Sequence, residues 1–312
     1  MKVRYYVKDN TLVIKGNFDG ISTGINGGRE KVRSAINHEV GKDFNHPHPT
    51  QYMNEIADAL NADRPYFGFM TAVHMKNLCI VRDPLLTAFI TAGISNPCHD
   101  PGVPGTINIL IIVHGRMEEG ALAGAIITAT EAKTKALFEM GFDFTGTTTD
   151  AVAVLTEPRE TGIAEPPTYE YSGTCTEIGR SIYRCVKKGV IEGIKRQHRI
   201  DGINHKSRLF VLAEGKDGQY WIEYPSEKNG PCPYYPCHVK GQICTHCFCP
   251  LYPCEDKGLG EWVMTGKGYP VWGCKDCMLL HHREAVEYLA KHPESDVKEI
   301  KAATRRKYKG EG

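Results

Sequence analysis

Cysteine carries the plainest chemical signal in this 312-residue chain. Of twelve cysteines, eight fall between Cys232 and Cys277, as Cys232-x4-Cys237, Cys244-x2-Cys247-x-Cys249, Cys254 and Cys274-x2-Cys277. A Cys-x2-Cys turn puts two sulfurs on one side, where both thiolates reach one tetrahedral metal. Two such knuckles parted by a loop make a zinc-ribbon-like arrangement, and eight thiolates suffice for one or two zinc ions. An iron–sulfur cluster is the rival occupant, since four thiolates hold either. His238 and His281, with His282 beside it, are spare ligands. Cys79, Cys98, Cys175 and Cys185 stand apart and read as small buried apolar residues.

A second pattern combines glycine with hydroxyl and amide side chains. It recurs in Ser22-Thr23-Gly24-Ile25-Asn26-Gly27-Gly28, Thr91-Ala92-Gly93-Ile94-Ser95-Asn96, Gly105-Thr106-Ile107-Asn108 and Thr145-Gly146-Thr147-Thr148-Thr149-Asp150. Glycine lets the backbone approach a ligand closely, and neighbouring N–H groups can line an anion pocket. Any one segment is explained as a tight turn capped by hydroxyls. Four in one domain point to a polar pocket built from loops. No Walker motif, Gly-x-Ser-x-Gly elbow, His-Glu-x-x-His helix or dinucleotide fingerprint is present, so pattern alone names no reaction.

The elements that must position these residues read as α+β, a layered mixed sheet with packed helices, plus the small cysteine-rich module. Two domains are expected, residues 1–205 and residues 206–312, the second comprising a hairpin linker, the metal-binding module and a C-terminal helix. Val3–Val7 and Thr11–Lys15 suggest a hairpin turning at Asp9-Asn10. Phe67–Ala72, Leu78–Val81, Leu86–Thr91 and Ile107–Val113 have strand length, the last two apolar on both faces and so covered on both. Helices are expected over Glu119–Met140, stopped by Gly141, and over Cys175–Gln197. Pro158–Pro167 reads as an exposed loop, and Arg208–Ala213 with Gln219–Tyr224 as a second hairpin.

Composition is ordinary for a globular chain, at 41% hydrophobic and 24% charged residues. A formal charge of +1 gives no general attraction to nucleic acid or anionic membrane, which argues against either partner and leaves room for a homo-oligomer. No apolar run approaches a membrane span. The opening Met1–Tyr6 lacks an apolar export signal, and clustered cysteines fit a reduced compartment, so a cytoplasmic location is expected.

The glycine-rich segments, together with Ala35-Ile36-Asn37-His38, Phe69-Met70-Thr71-Ala72, Thr130-Glu131-Ala132-Lys133 and Ser172-Gly173-Thr174, resemble the adenosylcobinamide amidohydrolase family in kind and order over residues 17–200. The resemblance implies a corrinoid substrate and hydrolysis of one amide. It removes the aminopropanol arm of adenosylcobinamide and leaves adenosylcobyric acid for corrinoid salvage. One departure stands out: the usual Thr-Gly-Thr-Gly-Thr-Asp has Thr148 at its second glycine.

Amide hydrolysis needs an activated nucleophile, oxyanion stabilisation and a proton for the departing amine. Within that resemblance Asp150 is the candidate base or its orienting partner, and Glu131 a second carboxylate. Thr147, Thr149, Thr106 and Ser22 are candidate nucleophiles, none distinguished by the sequence; Asn37 and Asn108 are candidate oxyanion donors, and His38 and His74 the histidines nearest the motifs. Substrate-binding candidates are Ser22, Asn26, Gly27, Gly28, Ser95, Asn96, Gly105, Thr106 and Gly146. Residues 230–292 resemble a second family, the cysteine-rich small domain. Two other readings remain at this stage: a corrinoid-binding or sensing protein without turnover, and a zinc-ribbon adaptor for nucleic acid or protein.

Overall fold

The computed structural model describes residues 3–94, 105–198, 209–214, 220–223, 238, 242–243, 245–246 and 249–304. By internal contacts the chain divides into one unit of residues 1–159 and 166–209 and a second of residues 160–165 and 210–312. Among the described residues no helix is long and apolar enough to cross a membrane.

The first unit is built on a mixed sheet. Its strands are β1 (Arg4–Lys8), β2 (Thr11–Ser22), β3 (Gly28–Glu39), β4 (Tyr66–Thr71), β5 (Cys79–Arg82), β6 (Leu86–Gly93), β7 (Thr106–Val113) and β9 (Ala151–Thr156), with β8 (Arg116–Met117) set apart. They are ordered β5-β6-β7-β9-β2-β3-β4, and β1 pairs with the first half of β2. Asp9 and Asn10 both adopt the left-handed region, at φ 47° and 54°, as a two-residue hairpin turn requires. Strand β2 runs seven residues past the expected Lys15 because a register shift between Lys15 and Phe18 lets it bend and continue. Strands β3 and β9 and the helix α1 (Pro49–Ala59) were not expected from the sequence. Charged residues interrupt β3, and α1 buries only Met53 and Ala57.

The sheet coils until its two halves face one another. Tyr5 of β1 meets Phe89 of β6 edge-on, with ring centroids 4.9 Å apart. On the outer side of β3, Ile36 joins Tyr6, Val13 and Tyr66 in a core capped by Met53 and Ala57 of α1. Helices α2 (Glu119–Glu139) and α3 (Glu177–Gln197) pack together, and α3 lies on β6. The α3 contact is close enough that a Cβ on Gly189 would overlap Ile90. Helix α3 starts as its sequence dictates: Thr176 caps it by accepting from the Gly179 N–H at 3.0 Å. A short strand β10 (Thr168–Tyr169) pairs in parallel with β8.

The second unit contains the hairpin β11 (Leu209–Glu214) and β12 (Tyr220–Glu223), near the expected limits. It also holds the hairpin β13 (Glu261–Met264) and β14 (Pro270–Gly273), and helices α4 (Arg283–Lys291) and α5 (Val297–Thr304). Leu259, Leu279, Leu280, Ala285, Leu289, Val297 and Ile300 form its small core, with Cys249, Cys254 and Cys277 packed against it.

Candidate active site

Strand order decides which loops meet. Strands β7 and β9 run parallel, while β6 is antiparallel to β7 and β2 antiparallel to β9. The amino ends of β7 and β9 therefore share one edge with the carboxyl ends of β6 and β2. That edge carries Gly105–Asn108, Thr145–Asp150 and the turn Ser22–Gly28. Thr23 ties the turn down, its N–H donating to the Val152 carbonyl and its hydroxyl accepting from the Val152 N–H, both at 3.0 Å.

Asp150 is the hub. Its Oδ2 accepts from Lys133 Nζ at 2.5 Å and from the Thr147 N–H at 3.1 Å. Its Oδ1 accepts from the Ile107 N–H at 2.8 Å and the Thr147 hydroxyl at 2.5 Å. A carboxylate has about four acceptor positions, and all are taken. The Lys133 and Asp150 side chains are only 9% and 10% exposed, so the two opposite charges are paired out of water. Gly146 makes the pair possible, because a Cβ there would fall on Lys133 Nζ and Asp150 Oδ2.

Around this hub lie hydroxyls. Thr149 donates to the Gly105 carbonyl at 2.8 Å and shares a 2.8 Å hydrogen bond with Thr106; the Gly105 carbonyl is also 2.7 Å from the Thr147 hydroxyl. Thr148 and Thr149 are exposed, so the cluster opens to solvent through this turn. Asn108 follows Thr106 on the same face of β7, one pleat repeat inward. Its Nδ2 donates to Asn37 Oδ1 at 3.1 Å and to the Met70 carbonyl at 2.8 Å. Asn37 in turn donates to Thr91 at 3.0 Å.

The sequence matches the family described as Adenosylcobinamide amidohydrolase over residues 2–202. The chain belongs to that family. An adenosylcobinamide amidohydrolase of Methanosarcina mazei is 43% identical over 199 residues, covering 62% of this chain and 98% of that protein. One from Halobacterium salinarum is 29% identical over 187 residues, covering 54% of this chain and 77% of that protein. A probable cobalt-factor III C(17)-methyltransferase of Methanothermobacter thermautotrophicus is 41% identical over 73 residues, 22% of this chain and 20% of that protein. Residues 223–304 match a second family, the cysteine-rich small domain.

For an amidohydrolase family member the site differs from expectation at three residues. Glu131 is exposed on α2 and makes no hydrogen bond to the cluster, so it does not join Asp150. His38 lies on the α1 side of β3, opposite Asn37, with Nδ1 2.7 Å from the Thr11 hydroxyl and Nε2 2.9 Å from the Tyr52 hydroxyl. Burial there pushes its pKa down. Asn108 has spent both N–H groups, leaving none for an oxyanion, while its Oδ1 is buried without a partner among the described residues.

Other candidates hold the turns. Ser22 accepts from the Gly24 N–H at 3.0 Å, Asn26 takes φ 55° and Gly28 φ 100°, and Asn26, Gly27 and Gly28 are exposed at the same edge. Ser95 and Asn96 lie outside the described residues. Lys133, quoted above only within Thr130-Glu131-Ala132-Lys133, takes a place in the site that sequence reasoning did not assign to it. Its signal was a lysine in the inward row of α2, among Ala129, Ala132 and Ala136.

In the second unit Cys249, Cys254, Cys274 and Cys277 are neighbours. Burial, and then the thiols of Cys277, Cys254 and Cys274, push the Cys249 thiol up. The Cys277 N–H donates to the Cys274 carbonyl at 3.0 Å, closing the Cys-x2-Cys turn. Among the described residues, no three His, Cys, Asp or Glu side chains converge as a metal site. Cys232, Cys237, Cys244 and Cys247 lie outside the described residues.

Proposed function

We propose that this chain hydrolyses the aminopropanol amide of adenosylcobinamide, giving adenosylcobyric acid for corrinoid salvage. Family membership supports the reading. The observation that carries it is the meeting of three glycine-flanked polar segments at one sheet edge, two of them at Asp150, with Thr147 bound to its carboxylate. A hydroxyl 2.5 Å from a carboxylate puts a nucleophile within proton-transfer reach of a base.

Thr147 Oγ1 attacks the amide carbon while its proton passes to Asp150. Asp150 then returns that proton to the departing nitrogen, and the C–N bond breaks to release aminopropanol. Water resolves the resulting ester: its hydroxyl joins the acyl carbon, its proton goes to Asp150, and Asp150 reprotonates Thr147. Water is consumed, and an acid and an amine are formed. The exposed hydroxyl of Thr149, with Thr106 behind it, and the Ser22–Gly28 turn line the approach. Incubating the full chain with adenosylcobinamide tests this by mass spectrometry. Equal amounts of adenosylcobyric acid and aminopropanol are expected; unchanged substrate bound to the protein would instead support a non-hydrolytic corrinoid binder.

The cysteine-rich unit supplies a donor set suited to one or two zinc ions: Cys249, Cys254, Cys274 and Cys277, with Cys232, Cys237, Cys244 and Cys247. Zinc there would neutralise adjacent thiolates and stabilise a small core. Elemental analysis of protein purified without oxygen should find zinc, whereas iron with visible thiolate-to-iron absorption would refute it.

A further inference from the structure

We propose that the Lys133 ammonium is a catalytic group that stabilises the oxyanion formed on the amide carbonyl. This role rests on the hydrolytic reading above and deepens it.

Lys133 is 7% exposed, and its Nζ lies 2.5 Å from Asp150 Oδ2. A buried ion pair is a weak source of stability, because desolvating two charges offsets most of their attraction. Apolar side chains would anchor α2 to the Thr145–Asp150 turn more cheaply. An ammonium has three donors, and Asp150 takes one. The other two have no partner among the described residues. Asp150 is saturated, so it cannot turn toward substrate without giving up a donor, whereas Lys133 has donors to spare.

Gly146 lies against the pair: a Cβ at this position would fall on Lys133 Nζ and Asp150 Oδ2, so only a residue without a side chain lets them sit beneath this turn. The same turn carries Thr147 and the exposed Thr148 and Thr149, and the Thr147 hydroxyl and Lys133 Nζ meet the two oxygens of one carboxylate. A carbonyl attacked by Thr147 Oγ1 would place its oxygen on the Lys133 side of that carboxylate. The charge sits in a largely dehydrated site, where a fixed donor acts more strongly than in water. No proton leaves Lys133 in this role. The hydrolysis balance is that given above, and the ammonium only lowers the energy of the negative oxygen.

Lys133→Gln keeps an N–H for Asp150 but loses the charge; Lys133→Met keeps the stem alone; Lys133→Arg restores the charge. Steady-state hydrolysis by each full-length variant, beside the parent, is the test, with a thermal melt confirming folding. The Gln and Met variants should lose at least about 100-fold in kcat with KM within about threefold, and Arg should recover at least tenfold of that loss. Either neutral variant, once folded, turning over at more than one third of the parental kcat overturns the role. If Met fails to fold, Gln decides the matter. No product from the parent overturns the hydrolytic reading itself and this role with it; product from parent and variants alike overturns only the role of Lys133.

Discussion

Strands β7 and β9 end in two buried ionic clusters, and the two ends differ in one respect that matters. At the amino ends, Lys133 and Asp150 sit under a glycine and beside exposed threonines. At the carboxyl ends, His114 Nδ1 lies 3.4 Å from Glu157 Oε2, and its Nε2 lies 3.1 Å from the Thr87 hydroxyl and 3.0 Å from Arg159 Nη2. Glu157 and Arg159 pair directly at 3.3 Å. Both clusters are hidden from water and both cross between strands. Only the first has a hydroxyl bound to its carboxylate, Thr147 on Asp150, in a turn whose neighbouring threonines are exposed. Burial of charge therefore does not by itself mark a reacting site; a nucleophile-type hydroxyl held on the buried carboxylate distinguishes this end.

The sharpest way to break this comparison is to neutralise one residue at each end. Asp150→Asn should lower kcat by roughly a thousandfold, since it removes the base and miscasts the Thr147 contact. His114→Gln should leave kcat within about twofold. Hydrolysis rates for the two folded variants decide; a large loss in His114→Gln, or little in Asp150→Asn, would reverse the assignment of the ends.

A smaller effect separates the ends by pH. Burial first, and then Arg159, lower the pKa of His114 from 6.5 to about 4. The folded protein therefore holds this ring neutral where the unfolded chain would protonate it. The unfolded state binds more protons between about pH 6.5 and 4, so stability is full above pH 6.5 and falls as pH drops through that window. The loss approaches about 3 kcal/mol once both states are protonated. Denaturant unfolding at pH 7 and pH 5 should show a clear decline in the parent and a shallower one in His114→Gln. Parallel declines would place the acid sensitivity elsewhere.

Much of this arrangement was legible in the residues, for identifiable reasons. The two long helices and the apolar strands β6 and β7 announced themselves because packing enforces periodicity along their whole length. Strand β3 did not, since Arg29, Glu30, Lys31 and Arg33 occupy its exposed first half. The chemistry divided differently. Cysteine spacing is local, so the metal-binding expectation needed no fold, and Cys274 with Cys277 does close such a turn. The amide site needs residues far apart in sequence, and hydroxyls beside glycines are equally good turn formers. The recurring segments pointed to a shared pocket, but the pairing of Thr147 and Ile107 with Asp150 needed the fold.

That same ambiguity explains the departures. His38 and Asn37 are adjacent in sequence, so a strand sends them to opposite faces, and only Asn37 points inward. Lys133 was hidden because a lysine on a helix is usually solvated; its burial depends on the alanines around it and on the missing side chain at Gly146. Thr148, the one departure noted in the resemblance, is exposed, whereas Gly146 has no room for a side chain. The two glycine positions are thus not equivalent.

Thr147→Ala in the full-length chain puts the hydroxyl beside Asp150 to the most direct trial. With adenosylcobinamide in excess, the parent should release aminopropanol through many turnovers, and the alanine variant should bind the corrinoid yet release at least about a thousandfold less per unit time. A folded Thr147→Ala protein that liberates aminopropanol at the parental rate would contradict the account.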